Sequence, residues 1–147
     1  MKRLALIFAM VLGLTLPLAA DPDVSGKQVM YLGGSIAPPA EGTIGEIDLT
    51  HGESFLFQSS AGRIEIPYAQ IRDIQYGQKL KRKLPLLTGA AVRLILRPRK
   101  KRHFVSIRFS DDGAEHVVLF EIPKTMATSV TTVLEARTGR RIRPLTR

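Results

Sequence analysis

The 147-residue chain has no cysteine, only three histidines and few aromatic residues, 6% of the total. Without cysteine there is no disulfide framework, no thiolate nucleophile and no Cys-ligated zinc. Three histidines leave little room for metal or acid–base chemistry, so the composition disfavours an enzyme. Collagen-like repeats and low-complexity tracts are also missing, and 44% apolar with 24% charged residues describes one modest globular domain.

The first twenty residues read Met-Lys-Arg, an apolar run from Leu4 to Leu16, then Pro17-Leu18-Ala19-Ala20 before the acidic start Asp21-Pro22-Asp23. A cationic start, a short apolar region and small residues at the cut are the pattern of a secretory signal peptide. We expect cleavage after Ala20 and export to the periplasm or cell envelope, or outside the cell. An uncleaved anchor is the alternative, although a membrane span takes about 20 apolar residues. Residues 21–26 are expected to form a flexible N-terminus, 27–139 the folded domain and 140–147 a basic tail.

Charge is unevenly placed. The formal charge is +9, and Lys79 to Arg102 holds ten cations and no acid: Lys79, Lys81, Arg82, Lys83, Arg93, Arg97, Arg99, Lys100, Lys101 and Arg102. Arg137 to Arg147 holds five more cations and again no acid, whereas the remainder of residues 21–147 is net −8. Two acid-free basic stretches in an otherwise acidic chain point to an anionic partner, against the simpler reading of a solvated charged surface.

Period-two alternation predicts strands over residues 27–34, 42–50, 54–58, 63–66 and from Ile71 to about Gly77, separated by turns. Asp112-Gly113 suits a two-residue type I′ turn, in which both positions need positive φ. If Asp111 faces Ala114, then Phe109 faces His116, Ile107 faces Val118 and Val105 faces Phe120, which gathers the apolar residues on one face. Leu94 to Leu96 is expected to add a strand beside this hairpin. After Pro123, the stripe Met126, Val130, Val133, Leu134 and Arg137 predicts one amphipathic helix that ends at Gly139. The expected fold is mainly β with one C-terminal helix: about seven antiparallel strands in a barrel or sandwich capped by the helix.

No catalytic, metal or cofactor constellation emerges. His103 and His116 are too far apart along the hairpin to share an ion, at about 3.4 Å per residue. His51 sits in a turn, Asp111-Asp112 are turn formers, Gly33-Gly34 lack phosphate-loop spacing, and no serine has a nucleophile-like context. The stretch Leu84 to Leu96 (LPLLTGAAVRLIL) between basic flanks carries two readings. In one it packs as core, with Leu84, Leu86 and Leu87 over an open barrel end. In the other these three leucines form an apolar loop tip that enters a membrane surface. The flanking cations Lys79, Lys81, Arg82, Lys83, Arg97, Arg99, Lys100, Lys101 and Arg102 would then meet lipid phosphates.

Glu41 to Ile74 resembles the GRAM and bacterial branch of the pleckstrin-homology-like (PH-like) superfold. The motif is Gly62-Arg-Ile-Glu-Ile-Pro67-Tyr-Ala-Gln-Ile71-Arg-Asp-Ile74, after a glycine-led strand and an aromatic strand. The chain after residue 26 is also similar to a group of exported bacterial proteins with no assigned activity. They carry Ile66-Pro67-Tyr68, Tyr76-Gly77-Gln78-Lys79, the run Lys100 to His103 and Leu134 to Gly139. The resemblance implies a module that binds lipid headgroups or peptides without catalysis. The expected partner is an anionic membrane surface or an acidic protein. Assembly through a strand edge is the alternative. Nucleic acid fits the pI of 10.4 but suffers from export and from the lack of aromatics between the cations.

Overall fold

The computed structural model describes residues 27–78 and 102–145. The leader, residues 21–26, the strand expected at Leu94 to Leu96 and the Leu84, Leu86, Leu87 tip lie outside them.

Eight strands among the described residues form one sheet: β1 (Gln28–Gly34), β2 (Thr43–Asp48), β3 (Ser54–Ser59), β4 (Gly62–Pro67), β5 (Ile71–Gly77), β6 (His103–Asp111), β7 (Ala114–Ile122) and the two-residue β8 (Arg143–Pro144). Their order is β4-β3-β2-β1-β7-β6-β5-β8. All neighbours are antiparallel except β5 and β8. Only the short 3₁₀ turn Tyr68–Gln70 joins β4 to β5, yet these strands lie towards opposite ends of the sheet order. So short a connector forces the sheet to roll over on itself. β4 and β5 do not pair, so the sheet stays open. The fold is sandwich-like, the second of the two forms expected, and the sheet is not closed into a barrel.

Helix α1 (Lys124–Thr138) caps the open side, packing on the 3₁₀ turn and β5. Its Thr- and Val-rich sequence has low intrinsic helix propensity, so docking of its apolar stripe holds it helical. Ala127, Val130 and Leu134 are buried, Met126 and Val133 are half-buried, and Arg137 lies exposed, its Nη1 donating to the Gly52 carbonyl at 3.4 Å. Gly139 ends the helix with φ 67°, a left-handed conformation that glycine adopts without steric cost.

The hairpin follows the register expected from its turn. Asp112 (φ 47°) and Gly113 (φ 79°) both have positive φ, and Val105↔Phe120, Ile107↔Val118 and Phe109↔His116 are paired. Val105, Ile107, Val118 and Phe120 join Val29, Tyr31, Phe55, Phe57, Ile64, Ile66, Ile71 and Ile74 in the main core, between the rolled sheet and α1. Tilted ring contacts link Tyr31, Phe55 and Phe57 to Phe120. Because strand side chains alternate, Met30, Leu32, Phe104 and Leu119 fall on the opposite face, where with Leu145 they form a smaller buried cluster.

Candidate functional site

A concavity lined by arginines is built by the chain leaving α1. Gly139 donates its N–H to the Glu135 carbonyl at 2.9 Å, and Thr138 Oγ1 donates to the Leu134 carbonyl at 2.6 Å. The Ile142 N–H then reaches back to Glu135 Oε1 at 2.9 Å. These bonds tie residues 139–142 back to the last turn, and the Gly139 N–H satisfies the Glu135 carbonyl, one of the four that a helix end otherwise leaves open. Arg143 and Pro144 pair in parallel with Gln75 and Tyr76, and the Leu145 N–H donates to the Tyr76 carbonyl at 3.0 Å. Leu145 buries its side chain beside Gly77.

This course brings Arg143 onto Asp73 of β5. Nε donates to Oδ1 at 2.7 Å and Nη2 to Oδ2 at 2.5 Å, while Gln75 Nε2 donates to Oδ2 at 2.9 Å. The Arg143 hydrogen bonds, followed by the Gln75 amide and the nearby Arg108 charge, hold the Asp73 carboxyl below its ordinary range against a smaller opposing effect of burial. Arg72, Asp73, Gly139, Arg140, Arg141 and Arg143 line a concavity of about 450 Å³. Four of these six residues are arginines and one is a carboxylate, which is already occupied by Arg143. Among the described residues Arg72, Arg140 and Arg141 are exposed and make no ion pair.

Arg102 departs from the sequence expectation. Its side chain is 7% exposed and forms a two-pronged pair with Glu121, itself 3% exposed. Nε lies 3.0 Å from Oε1, Nη2 meets Oε2, and the guanidinium stacks 5.2 Å from the Phe104 ring centre. Glu121 lies on the buried outer face of β7, where an unpaired carboxylate is costly. Arg102 neutralises it and is not part of an exposed anion-binding surface. Lys79, Lys81, Arg82, Lys83, Arg97, Arg99, Lys100 and Lys101 lie outside the described residues. The stretch that carries them leaves after β5 and returns into β6 where Gly77 and Phe104 are paired.

The histidines have packing roles. His103 stacks on Tyr76 and shares a 2.5 Å hydrogen bond between its Nδ1 and the Tyr76 hydroxyl. His116 stacks on Phe109, and His51 Nδ1 accepts the Ser54 N–H. No cluster of three or more His, Asp or Glu among the described residues can hold a metal ion.

Sequence reasoning marked Arg137 to Arg147 as a basic stretch but gave it at most an assisting part beside Lys79 to Arg102, and it did not connect it with Arg72 or Asp73. Arg72 gave a weak signal as a polar position between Ile71 and Ile74. Nothing in the local pattern linked it to arginines about seventy residues away.

No family model, curated protein or solved structure matches this chain. No helix among the described residues is long and apolar enough to cross a membrane.

Proposed function

We propose that this protein is a non-enzymatic, PH-like binding module, exported to the cell envelope, that engages an anionic lipid surface through arginines. The concavity of Arg72, Arg140, Arg141 and Arg143 carries this reading, because three of its four guanidinium groups are exposed and unpaired among the described residues. The cationic leader pattern supports export. The basic stretch from Lys79 to Lys101 supplies further attraction to the same kind of surface, each cation near an anionic leaflet contributing about 1 kcal/mol. An acidic protein surface would use the same charges.

Assembly through a strand edge is less well supported. The sheet edge β4 carries the exposed Arg63–Glu65 pair, 2.8 Å apart, and ends in Pro67. Charged side chains and proline are the means by which natural edges discourage added strands.

Sedimentation of the purified protein with vesicles tests the proposal. Binding to vesicles containing phosphatidylglycerol, none to phosphatidylcholine alone, and release as salt shortens the Debye length are the expected results. Failure to bind anionic vesicles at low salt would remove the lipid reading and favour a protein partner. Intact mass of the protein from its native host checks export, with loss of residues 1–20 expected.

A further inference from the structure

We infer that the arginine concavity is a site for a phosphate group, carried by a lipid headgroup or by a soluble compound. The inference rests on the anion-binding reading above and narrows it to a chemical class. Asp73 and Arg143 show what a carboxylate does in this place: its two oxygens satisfy one guanidinium fork and one amide, and nothing more. A second carboxylate would meet one further fork and leave the other exposed arginines uncompensated.

A phosphate monoester differs in the two respects that matter here. It carries about −1.5 to −2 charge at neutral pH and presents three acceptor oxygens in different directions. Arg72, Arg140 and Arg141 reach the concavity from two separate segments, a strand and the turn after a helix. Arginine is the side chain whose planar fork matches phosphate oxygens in pairs. The negative end of α1, equivalent to roughly half a charge, opposes an anion there but is outweighed by the arginines. A hollow of about 450 Å³ lies within the size range of small-ligand sites, about 300–1,000 Å³.

Arg143 is fixed by Asp73 and serves as a charged wall, so the ligand is held chiefly by the three unpaired arginines. Losing charge-assisted hydrogen bonds to them is expected to weaken binding by about tenfold or more.

Calorimetric titration of the purified protein with pyrophosphate, and separately with citrate as a carboxylate of comparable charge, tests the inference. Pyrophosphate binding at least about tenfold tighter than citrate is expected, with the preference lost in the R72Q/R140Q/R141Q variant while its Tm is unchanged. Vesicles containing phosphatidic acid, compared with phosphatidylglycerol vesicles of matched surface charge, separate the two sources. Preference for phosphatidic acid points to a headgroup, and pyrophosphate binding without that preference points to a soluble ligand. Equal affinity for pyrophosphate and citrate would overturn the phosphate inference and leave the anion-binding reading standing. Absence of binding to both ions and to every anionic vesicle would overturn both. Unchanged pyrophosphate binding by the triple variant would place the site elsewhere.

Discussion

Among the described residues two arginines, Arg102 and Arg143, hold a carboxylate by both prongs, in opposite surroundings. Arg102 and Glu121 are 7% and 3% exposed on the outer face of β6 and β7, whereas Arg143 is 63% exposed at the concavity and its partner Asp73 is 17% exposed. In the first pair the partners neutralise each other away from water, and neither can meet a ligand without undoing the packing. In the second, one guanidinium is tied down while Arg72, Arg140 and Arg141 around it stay open. Counting cations along the sequence treats these arginines alike. Burial separates a residue that keeps the fold together from residues that face solvent.

The largest effect should come from breaking the buried pair on one side only. Arg102→Met strands Glu121 as a buried charge and should cost about 3–5 kcal/mol in denaturant unfolding. The double variant R102M/E121L should recover most of that loss, because well-packed apolar replacements of buried ion pairs are often neutral or better. A double variant as unstable as the single one would mean that the pair contributes more than charge neutralisation.

Ile107→Ala is the matching test on the inner face. Ile107 is fully buried opposite Val118, and its truncation should cost about 2–5 kcal/mol. An effect as small as that of a surface substitution would contradict the register of the hairpin.

The hairpin and the site show how far sequence reasoning reaches. Asp112-Gly113 determined the turn, the turn determined the register, and alternation then assigned Val105, Ile107, Val118 and Phe120 to the core. These are local relations between residues close in sequence. The helix was legible for the same reason, with Val130 and Leu134 one turn apart and Gly139 at its end. Arg102 was misassigned because it was counted with the cations before it. Extending the hairpin register three residues beyond Val105 places it diagonally across from Glu121, on the same face as Phe104. The concavity was legible only in part, since it depends on β8 adding in parallel to β5 about seventy residues away, through two residue pairs. That the sheet stays open was not legible either, because strand patterns do not specify whether β4 and β5, joined by the 3₁₀ turn, pair with each other.

Smaller effects belong to the exposed pair. Asp73→Asn should lower stability by at most about 1 kcal/mol, because the pair is largely solvated on its Arg143 side. Its pH dependence has a definite sign. The folded Asp73 carboxyl titrates below its ordinary value of 3.8, so its contribution is present above that value and lost as pH falls through the lower, folded one. The stability difference between wild type and D73N should therefore close on the acid side and stay constant near neutrality. A difference that grew on acidification would contradict the assigned partners.

On the proposed function, the exposed arginines of the concavity, and not the buried Arg102, meet the anionic partner. Vesicle sedimentation at low salt tests it most directly, comparing wild type, R72Q/R140Q/R141Q and a variant with Lys81, Arg82, Lys83, Lys100 and Lys101 changed to Gln. The concavity variant should lose most binding to phosphatidylglycerol vesicles with its Tm unchanged, while the second variant binds more weakly than wild type but still measurably. Wild-type binding by the concavity variant, together with complete loss in the second, would contradict the account and move the contact surface to the stretch between β5 and β6.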